Sequence, residues 1–195
     1  REALAASIEE YLAERRGRGF YEVRLSVTPV FMNDDRMVDL RIDVAQGLRV
    51  RVLFRGDVLP ADRFEDLVPV GSEGSVDEDL LEDSSVRIED YLRGQGYREA
   101  AAPFTREETS GELAIIFTVT KGPQYRVTRV DISGNASISL ATLQPRLRVR
   151  VGQPFSQATL ADDLASVEDV YRREGFANVQ TEATTQPLLD APGAA

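Results

Sequence analysis

Tyr11, Tyr91 and Tyr171 recur at intervals of 80 residues, and each stands near the end of an amphipathic stretch that closes on a glycine followed by an aromatic residue. The closures read Gly19-Phe20, Gly96-Tyr97 and Gly175-Phe176. A fixed period of this length is the mark of tandem small domains. Within the stretches, apolar residues keep helical spacing: Leu4, Ile8, Tyr11 and Leu12, then Leu80, Leu81, Ile88, Tyr91 and Leu92, then Leu160, Leu164, Val167 and Tyr171. Three amphipathic helices follow. Asp77 and Ser156 are placed as N-caps of the second and third, and the glycines as C′ residues against which the next aromatic packs back.

After each helix the period turns towards two. Phe20 to Thr28 and Met37 to Val44 predict a hairpin across Asn33-Asp34-Asp35. Tyr97 to Phe104 and Leu113 to Thr120 predict another across Glu107 to Gly111. Phe176 to Thr184 opens a third. Ahead of the long helices, a strand from Gly47-Leu48-Arg49-Val50 through Phe54 and one from Gly122-Pro123-Gln124-Tyr125 through Ile132 each lead to a short helix, near Ala61 to Val68 and Leu140 to Leu147. The fold class is therefore α+β, built of tandem β-α-α-β-β units, each a small mixed three-stranded sheet covered by two helices. The C-terminal part of one unit spans 1–47, a complete unit spans 48–122, and a unit lacking its last strand spans 123–195. Units this small bury modest cores, and the connectors Val44-Ala45-Gln46-Gly47 and Thr120-Lys121-Gly122-Pro123 are too short to be loose, so the units are expected to form an extended rod.

The net charge is −10 over 195 residues, which repels phosphate backbones and leaves no role for nucleic acid. The arginine clusters Arg15, Arg16, Arg18 and Arg146, Arg148, Arg150 are small, and they read as solvated surface. With no cysteine there is neither a disulfide framework nor a zinc-thiolate site, and with no histidine the commonest general base is missing. The remaining chemistry would be carboxylate chemistry from Asp77-Glu78-Asp79 with Glu82-Asp83, from Asp162-Asp163 or from Glu107-Glu108. A two-carboxylate hydrolase needs its pair facing each other across a substrate. These residues instead sit at helix starts, on polar faces or in a turn. No enzyme activity, cofactor or metal is expected: Asn33-Asp34-Asp35 lacks the glycine and distal glutamate of a calcium loop, and Gly71 to Gly74 lacks the lysine of a phosphate loop. No apolar run approaches the length of a membrane span.

Val130-Asp131-Ile132-Ser133-Gly134-Asn135, then Val151-Gly152-Gln153-Pro154-Phe155, then Tyr171-Arg172-Arg173-Glu174-Gly175-Phe176 punctuate the third unit. Together with the β-α-α-β-β order, they resemble the POTRA (polypeptide-transport-associated) repeat of the outer-membrane barrel-assembly superfamily, surface antigen type. The middle unit departs from the pattern in Gly56-Asp57 and in Val70-Gly71-Ser72-Glu73-Gly74, which reads as an extended loop. The resemblance implies a periplasmic, non-enzymatic scaffold of a bacterial outer-membrane protein. Its implied partners are unfolded outer-membrane protein precursors and accessory assembly lipoproteins, with a membrane barrel joined covalently beyond the C-terminal side. A polypeptide-secretion pore and a docking spacer for lipoproteins are the alternatives.

Pro29, Pro103 and Pro187 fall at or near the strand that follows each long helix. Because proline cannot donate a ladder hydrogen bond, the placement predicts that this strand is the free edge of its sheet. In the complete unit the predicted client-binding edge is Tyr97, Arg98, Glu99, Ala100, Ala101, Ala102, Pro103 and Phe104, and the resemblance implies that it takes up an extended client segment by β-augmentation.

Overall fold

A computed structural model describes residues 2–32 and 37–186. The chain divides into two compact units, one of Arg1–Tyr91 with Ala100–Lys121 and the other of Leu92–Glu99 with Gly122–Ala195.

The first unit opens with helix α1 (Glu2–Gly17) and an antiparallel pair, β1 (Arg24–Met32) and β2 (Met37–Ala45), in which Val27 faces Ile42. The predicted turn Asn33-Asp34-Asp35 lies outside the described residues. β1 starts four residues later than Phe20 because Phe20 and Val23 are engaged in closing the helix: the Phe20 N–H donates to the Arg15 carbonyl and the Val23 N–H to that of Phe20. β1 also runs on past Thr28 to Met32, so Pro29 sits inside it rather than after it.

Next come β3 (Arg49–Gly56), a 3-10 turn at Ala61–Arg63, α2 (Phe64–Leu67), α3 (Val70–Glu73), α4 (Glu78–Gly94), β4 (Phe104–Thr109) and β5 (Glu112–Val119). The sheet order is β3-β5-β4. β5 is central, parallel to β3 with Ile115 opposite Val52, and antiparallel to β4 with Ile115 opposite Arg106. Leu113, Ile115, Phe117 and Val119 point to the core side of β5 and are buried together with Val50, Leu81 and Ile88. Leu81, not Leu80, is the buried member of the first turns of α4. Phe54 stacks on Phe117 at 5.8 Å and packs against Phe64 at 4.4 Å with the rings tilted by 31°.

Asp77 caps α4 as predicted, its Oδ1 accepting from the Leu80 N–H at 2.9 Å. That hydrogen bond, with the Ser75 hydroxyl as second donor, holds the Asp77 carboxyl below the ordinary aspartate range. The segment Val70–Glu73 is a helical turn and not the extended loop predicted: it closes on Gly74, and the Ser72 hydroxyl donates to the Pro69 carbonyl.

The second unit holds α5 (Leu140–Leu143), continued by a 3-10 turn at Gln144–Arg146, and α6 (Gln157–Arg173). Ser156 accepts from the Thr159 N–H and caps α6, and Phe176 packs edge-on against Tyr171 at 5.6 Å, as the glycine-aromatic pattern predicts. The carboxylate of Asp163, 2 % exposed, accepts from the backbone N–H groups of Arg148 and Val149 and anchors that segment to α6. The expected strands at Tyr125 to Ile132 and Phe176 to Thr184 are not formed: among the described residues of this unit there is a single bridge, Arg126 to Pro154. A strand exists only as part of a ladder, and residues beyond 186 lie outside those described.

Candidate functional site

Three of the predicted edge residues, Tyr97, Arg98 and Glu99, belong to the second compact unit, while Ala100 to Phe104 belong to the first. The stretch is not a strand. Tyr97 continues the closure of α4, its N–H donating to the Leu92 carbonyl at 3.1 Å, and Arg98 lies in a turn. The Glu99 carboxylate accepts from the Tyr125 hydroxyl at 2.8 Å, which raises the phenol's pKa. Ala100 and Ala102 are buried, and only Phe104 enters β4.

The same antiparallel register nevertheless extends back from β4. Ala101 exchanges both backbone hydrogen bonds with Thr120, at 2.9 and 2.8 Å, and the Thr118 N–H donates to the Pro103 carbonyl at 2.8 Å. The return bond in that pair would need an N–H on residue 103. Proline lacks one, so the ladder breaks there. The nitrogen of Pro103 thus faces β5 and not the open side, opposite to the premise on which the edge prediction was built. The outer strand of the sheet is β4, which begins only at Phe104, the last residue of the predicted edge.

Alternation along an antiparallel pair sends the N–H and C=O of every second residue away from the partner. With Ala101 and Pro103 bonded towards β5, the residues facing outwards are Ala102, Phe104, Arg106 and Glu108. No strand pairs with this side of β4 among the described residues. Of the four outward donors, that of Ala102 is occupied: it donates to Oε1 of Glu89 on α4 at 3.1 Å. The open edge is therefore Phe104–Thr109, with Phe104 anchored against Phe117 at 5.9 Å and the rest exposed.

Sequence reasoning missed Thr105 to Thr109 because Thr-Arg-Glu-Glu-Thr is polar on both faces and reads as loop. The usable signal was Ser110-Gly111, a two-residue hairpin turn directly before the apolar run of β5. Glu89 was missed too, although Glu168 stands in the same place, seven residues before the closing glycine. In the second unit Glu168 accepts from the Thr181 N–H at 3.1 Å and from its hydroxyl at 3.0 Å. Those two bonds, hydroxyl first, lower its pKa, with Arg172 adding to the effect.

The candidate carboxylates do not converge. Asp77 caps a helix, Asp162 and Asp163 engage Arg148 and its backbone, and Glu107 lies 4.0 Å from Arg55 across the sheet. Among the described residues no group of three or more acidic side chains is arranged to hold a metal ion, and no helix is long and apolar enough to cross a membrane.

Residues 125–193 match the sequence model of the POTRA family, the surface antigen variable number repeat. A Treponema pallidum (strain Nichols) protein named "Putative outer membrane protein assembly factor" is 25% identical over 112 residues, a match covering 54% of this chain and 13% of that protein. The chain thus spans a small fraction of its curated relative. Among solved structures, BamA POTRA repeats 3–5 from Haemophilus influenzae align over 89% of this chain and 70% of that one, with 17% identity and a TM-score of 0.41. POTRA repeats 1–3 of Omp85 from Anabaena align over 85% and 71%, with 14% identity and a TM-score of 0.30. The match to the POTRA family thus covers the C-terminal third of the chain, residues 125–193.

Proposed function

We propose that the chain is a periplasmic, non-enzymatic part of an outer-membrane protein assembly factor, and that it holds unfolded client polypeptides by β-augmentation on β4. The observation that supports this most directly is the position of β4 at the rim of its sheet, with the backbone groups of Phe104, Arg106 and Glu108 turned outwards. Main-chain pairing makes few demands on client sequence, which suits a receptor for many barrel precursors. Relative to the edge predicted at Tyr97 to Phe104, the reading moves the contact C-terminally to Phe104–Thr109. Residues 1–47, 48–122 and 123–195 are successive units in this reading, and accessory lipoproteins and a covalently joined membrane barrel are its further partners.

Arg106→Pro supplies a specific test. Its N–H faces away from β5, so a proline there removes an outward donor and leaves the β4–β5 ladder in place. An extended peptide copied from a membrane-barrel strand, titrated into the full chain, is expected to shift the backbone amides of 104–109 and to lose that effect in the variant. Shifts confined to the helices, or unaffected by Arg106→Pro, overturn the reading.

A further inference from the structure

The contact between Glu89 and Ala102 has a function if β4 receives a strand, and this inference rests on that reading. A free edge offers outward donors at Ala102, Phe104, Arg106 and Glu108, each usable by an incoming backbone. Glu89 takes the first of them at 3.1 Å, from a helix that is continuous with the core through the fully buried Ile88. Ala102 itself is 0 % exposed. A strand advancing along β4 towards Pro103 therefore meets a donor already satisfied by a carboxylate, and a carboxylate repels the carbonyl that would replace it.

The arrangement is repeated. In the second unit Glu168 sits on α6 where Glu89 sits on α4, and it takes the N–H of Thr181, again thirteen residues further along the chain and again at 3.1 Å. The sequences around the two acceptors differ, Ala-Ala-Ala-Pro against Val-Gln-Thr-Glu, yet the bond is kept. The same helix position thus takes a backbone N–H thirteen residues on in both units, although in the second no strand forms there among the described residues.

We propose that Glu89 is the register stop of the β4 edge: it confines an added strand to the outward groups of Phe104, Arg106 and Glu108, and so fixes which client residue lies opposite each of them. Three donors at alternate positions span about 13 Å, the length of a segment of roughly five residues, at about 3.3 Å per residue. The client contact is then short, and its grip is limited by construction, which permits release.

The experiment follows backbone amides of the full chain by NMR while an extended barrel-strand peptide is added. In the unaltered chain the expected pattern is shifts at Phe104, Arg106 and Glu108 with none at Ala102. Glu89→Gln keeps an oxygen acceptor and is expected to keep that pattern. Glu89→Ala frees the donor, and the pattern is expected to extend by one outward position to Ala102. Binding on β4 that already shifts Ala102 in the unaltered chain overturns the register stop while sparing edge capture, and so does a folded Glu89→Ala chain in which the pattern does not lengthen. Absence of any shift along β4 overturns edge capture and the register stop with it. Should Glu89→Ala not fold, the silence or response of Ala102 in the unaltered chain still decides.

Discussion

Gly96 adopts φ +91°, and a Cβ built on it would lie 2.6 Å from the Tyr125 carbonyl oxygen, while its own carbonyl accepts the Tyr125 N–H at 2.8 Å. Gly19 stands in the same relation to Val50, with φ +90° and an N–H to carbonyl distance of 2.8 Å. The closing glycine of the long helix thus also seats the chain that enters the next strand position, a second duty that its place as a C′ residue does not reveal. Alanine at 96 meets both a disfavoured backbone conformation and a clash with main chain, so Gly96→Ala is expected to cost more than about 1 kcal/mol in chemical denaturation. Glu168 offers a test by pH. Its pKa is lowered from the ordinary 4.5 by the Thr181 hydroxyl and N–H, so these bonds stabilise the folded chain at pH values above 4.5 and are lost as pH falls through the lower, folded value. The Thr181 amide resonance should therefore titrate with a midpoint below 4.5, and a midpoint at or above it would show that the carboxylate does not hold that amide.

Among the elements, α4 and α6 were legible because their apolar residues repeat with a helical period and Asp77 and Ser156 mark their starts, and β5 because it is a short, dense apolar run. β4 was not, since an outer strand with solvent on its sides needs no alternation, and its polar residues carry no periodic signal. The helical turn at Val70–Glu73 was hidden for another reason: two glycines in five residues read as loop, while Val70 is held by burial. The edge prediction shows how a sound rule can be applied to the wrong side. Pro103 does mark a strand near a rim, but its missing donor faces Thr118 on β5. Pro103→Ala should accordingly supply the absent bond, giving a new amide at position 103 that is protected from hydrogen exchange and a ladder unbroken from Ala101 to Thr109. Peptide binding on the outer side should be unchanged by it. Rapid exchange at position 103 in the folded variant would mean that the backbone there does not follow the β4–β5 register.

Across the whole molecule, the 75-residue offset between Gly47 and Gly122 places Leu40, Ile42 and Val44 of β2 in correspondence with Ile115, Phe117 and Val119 of β5. The residues are chemically alike and the strands have the same length class, but their surroundings differ. β5 lies between β3 and β4, whereas β2 has a neighbour on one side only among the described residues. Leu40 is 48 % exposed and Ile115 0 %. An isolated two-stranded hairpin is at best marginal in water, and a run of exposed apolar residues of this kind marks a surface made for contact. In the proposed division of the chain, residues 1–47 are the closing half of a unit, and the cover that β2 lacks is what β3 and the short helices supply to β5. The same truncation at the two positions should therefore give unequal results. Ile115→Ala removes packed side chain from a filled core and is expected to cost about 2–5 kcal/mol. Leu40→Ala removes a half-exposed one and is expected to stay within about 0.5 kcal/mol, the scale of a surface change. Both are read from the same chemical denaturation of the full chain, with the β1–β2 hairpin and the β3-β5-β4 sheet followed separately so that loss of the hairpin alone is not taken for global unfolding. Equal losses at the two sites would mean that β2 is already covered in solution, by another copy or by part of its own chain, and that the hairpin is not an open half-unit.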